Sequence, residues 1–136
     1  MSSHPLRIAV AGASGRMGRM LIEAIAASGD CQLTAALDQP QSPSLGQDAA
    51  AFLGQSSGVA IESDLHSALA KADFLIDFTR PEGTLTHLQV CTELGVKVVI
   101  GTTGFDDAGK AAIAAAAQKT AVVFAPNMSV GVNVNL

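Results

Sequence analysis

The sequence predicts an α/β domain built on a single doubly wound parallel sheet. Three observations carry this expectation. Short apolar runs end in glycine or polar turns, segments of helical periodicity separate them, and turn signals punctuate the chain throughout its length. At 136 residues the chain is the size of one domain, and its 49% hydrophobic content, mostly Ala, Val, Ile and Leu with few aromatics, suits a core of small and branched side chains.

The first strand is expected at 6–11, an apolar run that stops at Gly12. Met17, Leu21, Ile22 and Ile25 then recur at helical spacing, and Gly29 is expected to stop that helix. A strand at 32–37 ends at Asp38, and a polar loop with Pro40 and Pro43 follows. Weaker signals suggest a short helix at 49–53, a strand at 59–61 and a short helix at 65–70. The run 74–78 is the next strand. Thr79, Pro81 and Glu82 then read as a capping box, with Thr79 as N-cap of a helix running to Leu94 and closed by Gly95. A strand at 96–100, an alanine-rich helix at 107–118 and a strand at 121–124 complete the alternation. No repeat, low-complexity tract or linker interrupts it.

Composition also excludes classes of function. The net charge of −4 offers no basic field for nucleic acid or an anionic membrane. No apolar run is long enough to span a bilayer, and the opening residues lack the pattern of a signal peptide. Cys31 and Cys91 are distant in sequence and read as buried thiols of a reducing compartment, so the cytoplasm is the expected location. His4, His66 and His87 show no ligand spacing and are expected to be solvated or structural, and no zinc or nucleophile motif occurs, so no metal is expected.

The chemistry concentrates at the strand ends. Gly12, Gly15 and Gly18 follow a G-x-x-G-x-x-G spacing between a strand and a helix, the context in which glycines allow a tight turn, backbone approach to a pyrophosphate, and close helix–strand packing. The loop Gly12, Ala13, Ser14, Gly15, Arg16 and Met17 is therefore a candidate dinucleotide cradle on a Rossmann-type sheet. Arg16 is the expected phosphate or adenine contact, and Arg19, deeper in the helix, a solvated neighbour. Asp38 lies 20 residues past Gly18, where an acid accepts hydrogen bonds from the adenosine ribose. Its neighbour is Gln39 rather than the arginine that would accept a 2′-phosphate, which favours NADH over NADPH, although Arg16 offers the phosphate some tolerance. Phe78, Thr79 and Arg80, then Gly101, Thr102 and Thr103, then Ala125, Pro126, Asn127 and Met128 end three further strands. In a parallel sheet all of these turns share the carboxyl edge, so a cofactor cleft there is the expectation.

Four segments together resemble a known family. They are the Gly12–Arg19 loop, the stretch from Asp77 to Thr84, the stretch from Val99 to Phe105, and the stretch from Ala125 to Asn133. In order and spacing they are similar to the motifs of 4-hydroxy-tetrahydrodipicolinate reductase, long called dihydrodipicolinate reductase. The resemblance runs from about Leu6 to Leu136 and implies an enzyme of bacterial lysine and diaminopimelate synthesis. In that family NADH or NADPH delivers hydride to a cyclic dicarboxylate, giving tetrahydrodipicolinate. By the same resemblance Gly12 to Met17 would hold the pyrophosphate and Asp38 the ribose, Gly101 to Thr103 with Ala125 to Met128 would flank the nicotinamide, and Thr103 would touch substrate.

The family continues into a second domain with a His-His-x-x-Lys-x-Asp segment that supplies the proton and grips the substrate. No such segment occurs in this sequence. The chain is therefore expected to be the cofactor-binding half, without turnover alone, and monomeric or weakly associated, since the family tetramer is built mainly by the other domain. Two alternatives are a short-chain dehydrogenase or epimerase, which relies on a tyrosine this sequence lacks, and a non-catalytic NAD(H)-sensing module.

Overall fold

The computed structural model describes residues 5–101 and 104–124. Among these residues six parallel strands form one sheet: β1 (Leu6–Ala11), β2 (Cys31–Leu37), β3 (Ile61–Glu62), β4 (Phe74–Asp77), β5 (Lys97–Ile100) and β6 (Val122–Phe124). Their spatial order is β3-β2-β1-β4-β5-β6, with every pairing parallel. The helices are α1 (Arg16–Ala27), α2 (Leu65–Leu69), α3 (Pro81–Leu94) and α4 (Asp107–Ala117), and a 3-10 turn at Ala51–Leu53 stands where the short helix at 49–53 was expected. No helix among the described residues is long and apolar enough to cross a membrane.

The doubly wound character appears in the core. On one face, Ile22 and Ile25 of α1 pack with Ile8, Val10 and Ala36. On the other, Leu69 of α2, Leu88 and Cys91 of α3 and Ile113 of α4 cover Ala9, Ala11, Leu75, Val98 and Ile100. Each strand of the sheet centre thus buries both of its faces, which is why these runs are almost continuously apolar. Along β2 the alternation breaks: the pairing with β1 slips by one residue after Leu33, leaving Thr34 as the extra residue, with its hydroxyl buried and unpartnered. Leu33 and Ala36 consequently share the α1 side, while Ala35 and Leu37 face the other layer.

Two expected helix boundaries are corrected. Gly29 does not stop α1. The helix ends at Ala27, Ser28 is extended (φ −91°, ψ 136°), its amide bonds the Ile25 carbonyl, and its hydroxyl accepts the Asp30 amide, so the chain leaves through serine without a left-handed residue. Nor is Thr79 the N-cap of α3. Arg80 occupies that position without a side-chain cap, because the Thr79 amide and hydroxyl are both taken by Asp77. Gly95 closes α3 as expected, with φ 74°.

The loop between β2 and β3 is organised by Asp48, whose carboxylate accepts from the amides of Ala50, Ser57 and Gly58 and from the Ser57 hydroxyl at 2.8–3.1 Å. These donors, the Ser57 amide foremost, lower its pKa from 3.8 to about 2. A depressed carboxylate stabilises above its unfolded pKa and loses that contribution as pH falls through the folded value. The tether at 48–58 is therefore expected to hold above about pH 4 and to loosen towards pH 2. The Ser57 and Gly58 amide signals, followed by NMR, should titrate near pH 2, and a midpoint at 3.8 would contradict the assignment.

Candidate functional site

The strand order reverses between β1 and β4: β1 leads into α1 on one face of the sheet and β4 into α3 on the other. In open parallel sheets the crevice beyond the strand ends at such a switch point receives ligands. At the end of β1, the amides of Gly12 and Ala13 both donate to the Leu37 carbonyl (2.9 and 3.0 Å), tying the turn to the end of β2. Gly12 has φ 77°, in the left-handed region that disfavours side chains. Gly15 donates to the Gly12 carbonyl at 3.0 Å, and its own carbonyl accepts the first helical bond, from Arg19. Gly18 is buried in the next turn, where a Cβ would lie 2.0 Å from the Gly12 carbonyl oxygen. Helix and turn approach each other too closely for any other residue.

Gly15 is the N-cap of α1. It brings no side-chain cap, and no acidic residue lies in the first turn. By contrast, α2 and α4 are capped by Asp64 and Asp106, which accept from Ser67 and Gly109. The opening amides of α1 are thus left to an external acceptor, with the exposed Arg16 beside them, an arrangement suited to an anion. Arg19 is exposed, as expected of a solvated neighbour, but it is not idle: its guanidinium carbon lies 5.2 Å from the centroid of the Phe52 ring. Arg19 and Phe52, with Ala13, Ser14 and Asp48, line a cavity of about 230 Å³ next to the turn. A larger groove of about 280 Å³ runs between α3 and α4, lined by Leu85, Gln89, Ala112 and Lys119, and takes no residue from the strand ends.

Asp38 follows β2 on the same edge. Its Oδ2 accepts from the Ser14 amide (3.2 Å), the Ser14 hydroxyl and the Ser42 hydroxyl (3.2 Å), and its Oδ1 from the Gln39 amide (2.8 Å). The acid singled out by spacing is therefore bonded directly to the glycine-bearing turn. Beyond β4, the Phe78 ring fills the space a side chain at Gly101 would need, and the Thr79 methyl lies 3.2 Å from where a Cβ at Gly12 would sit. Gly101 donates to the Asp77 carbonyl at 2.8 Å. Gly12, Thr79, Phe78 and Gly101 thus form one continuous wall across β1, β4 and β5, with the exposed Arg80 next to it. Thr102, Thr103, Ala125, Pro126, Asn127 and Met128 lie outside the described residues.

Sequence reasoning missed the group beneath this wall. Asp77 ends β4 with no exposure, its Oδ1 accepting from the Thr79 amide (3.0 Å) and hydroxyl (2.6 Å), and its Oδ2 facing His87 Nδ1 at 2.6 Å. The signal was an acid inside an apolar run, since a buried carboxylate requires partners. Burial first, and the Asp77 charge second, push the Cys91 thiol up to about 12. His66 is exposed and pairs with Glu93 at 3.3 Å, and His4 lies outside the described residues. Cys31 and Cys91 are both free thiols. Among the described residues no three His, Cys, Asp or Glu side chains gather as a metal site would require.

A parallel sheet in this order, with a glycine turn at its switch point and an acid at the end of the neighbouring strand, defines a Rossmann-type nucleotide-binding domain. The family model described as "Dihydrodipicolinate reductase, N-terminus" matches residues 6–128, and the chain belongs to that family. It is 70% identical over 131 residues to a 4-hydroxy-tetrahydrodipicolinate reductase of Herminiimonas arsenicoxydans, covering 96% of this chain and 49% of that protein. A reductase of the same name from Bordetella pertussis is 64% identical over 132 residues, covering 97% and 49%. The chain therefore spans about half the length of the curated relatives it matches. Among solved structures, a dipicolinate-bound dihydrodipicolinate reductase from Paenisporosarcina sp. TG-14 superposes with a TM-score of 0.73 at 27% identity, covering 94% of this chain and 49% of that one. The fold also extends to GenD2 of gentamicin A biosynthesis, solved with NAD, at a TM-score of 0.70 and 21% identity over 93% of this chain and 37% of that one.

Proposed function

We propose that this chain is the cofactor-binding half of a 4-hydroxy-tetrahydrodipicolinate reductase, holding a reduced nicotinamide dinucleotide along the carboxyl edge of its sheet. The observation that carries the reading is the bonding of Asp38 to Ser14, which unites the anion-ready turn and the ribose-type acid in one site. Gly12, Ala13, Ser14, Gly15, Arg16 and Met17 are assigned to the pyrophosphate, Asp38 to the adenosine ribose, and Phe78, Thr79, Arg80 and Gly101 to the wall leading towards the nicotinamide. Thr102, Thr103, Ala125, Pro126, Asn127 and Met128 are assigned to the nicotinamide end by family resemblance, with Thr103 also reaching substrate. NADH is preferred to NADPH, because the fixed Asp38 charge opposes a 2′-phosphate and Gln39 brings no cation to it.

When bound, the cofactor supplies hydride for a cyclic dicarboxylate. This chain binds and orients the cofactor. We assign the proton donor and the cations that grip the substrate to the half of the relatives that this chain does not span, and the homotetramer to that half as well, leaving this chain monomeric. Its two free thiols fit a reducing cytoplasm. Calorimetry on this chain is expected to show saturable NADH binding, and a reductase assay on the same material no turnover. Folded chain that binds no nicotinamide nucleotide would remove the proposal, and clear turnover would remove the division of labour.

A further inference from the structure

We propose that the buried pair Asp77–His87 is a positioning device for the cofactor site, acting through Thr79 on the glycine turn. The proposal rests on the reading of this edge as a nicotinamide-dinucleotide site and deepens it by naming residues that nothing in the spacing of the motifs assigns.

The links run in one direction through the fold. His87 stands in the second turn of α3, with its side chain 14% exposed, and its Nδ1 lies 2.6 Å from Asp77 Oδ2. Against a carboxylate, which only accepts, Nδ1 is assigned as the donor of this bond. The second oxygen of Asp77 takes both donors of a single residue, the amide and hydroxyl of Thr79, which closes the chain into a tight turn directly after β4. That turn presents the Thr79 methyl against Gly12, 3.2 Å from where a Cβ would be. Below it the Thr79 hydroxyl lies 3.4 Å from that of Thr84, which is fully buried. Rotation of Asp77 would therefore release Thr79 and remove one wall of the β1–α1 turn.

Stability alone explains this arrangement poorly. Neighbouring positions of the strand are apolar, and a buried charge with its partner is often no more stabilising than a packed hydrophobic pair. What the pair supplies instead is direction. It defines where the turn after β4 sits relative to the turn after β1, and those are the two turns on either side of the switch point. An apolar residue at position 77 would fill the space without fixing Thr79.

The test compares the full chain with His87→Ala, which removes the donor, and His87→Asn, whose side-chain amide nitrogen stands in for Nδ1. Two quantities are followed in each: exchange of the Thr79 amide by NMR, and NADH affinity by calorimetry. Loss of one buried hydrogen bond corresponds to about a tenfold change in an equilibrium. His87→Ala is therefore expected to speed Thr79 exchange and to weaken NADH binding, each about tenfold, and His87→Asn to restore both to within about threefold. Should His87→Ala not fold, Thr79→Val, which deletes the hydroxyl and keeps the shape, is expected to weaken NADH binding by a similar factor. Unchanged Thr79 exchange in folded His87→Ala overturns the positioning role, as does His87→Asn failing to restore it, or Thr79→Val binding NADH as tightly as the parent. Absence of NADH binding in the unsubstituted chain overturns the reading of the edge itself, and the exchange arm still reports separately on the link between His87 and Thr79.

Discussion

Gly18→Ala is expected to destabilise the domain by about 3 kcal/mol or more, and to abolish measurable cofactor binding in whatever material remains folded. A Cβ at this position would lie 2.0 Å from the Gly12 carbonyl oxygen, 2.8 Å from its carbon and 3.0 Å from Ala13 Cα. All three are backbone atoms, so no side chain can swing aside to make room. The methyl group would have to push α1 off the turn, and with it Ile22 and Ile25, which are buried against the sheet. Moving α1 also displaces its opening amides from the anion they are proposed to hold. Gly29→Ala is the control: a Cβ there meets nothing within 4 Å, φ is not left-handed, and the cost should stay within about 0.5 kcal/mol. Urea unfolding of the two variants beside the parent chain checks the contrast, and equal midpoints for all three would contradict the packing argument.

The second large effect concerns cofactor choice. Gln39→Arg should lower the ratio of the NADPH to the NADH dissociation constant by about tenfold or more, the change expected from one new hydrogen bond between charged groups. The side chain of Gln39 is exposed and only its backbone is committed, the amide to Asp38 Oδ1 and the carbonyl to the Ser42 amide, so the substitution requires no repacking. Asp38 is held by Ser14 and Ser42 on its other oxygen and cannot readily turn away from an incoming phosphate. A guanidinium beside it would offset that charge and grip the phosphate directly. Calorimetric titration with both cofactors decides the matter. If NADPH binding does not improve, the account of the ribose end is wrong.

Much of this molecule can be read from residue order, where the signal is local. The apolar run 6–11 ending in Gly12, followed by helical spacing, specifies β1, the turn and α1 because strand burial and helix periodicity each act over a few residues. The proximity of Asp38 to the turn was likewise legible, since a short helix crossing back to a neighbouring strand fixes where the acid arrives. Competition between local signals was harder. Thr79 and Glu82 resemble a capping box, but Asp77 two residues earlier captures both Thr79 donors. The strand at 32–37 was legible as a strand, but nothing in its residues announces that Thr34 is the extra residue that sends Leu33 and Leu37 to opposite layers. The pairing of Asp77 with His87 crosses from a strand to a helix and depends on how α3 seats against the sheet, so periodicity carries no trace of it.

The pairing of β1 with both β2 and β4 has a consequence for synthesis. The earliest of the described strands in chain order ends up in the middle of the sheet, and Ile8 must await Phe74, 66 positions later, before its second flank is covered. Until then a nascent β1–α1–β2 unit displays an open apolar border, the kind of surface that invites pairing with a neighbouring chain. Slow synthesis before β4 has emerged from the ribosome would prolong that exposure, whereas delays after its emergence would leave the strand already sheltered.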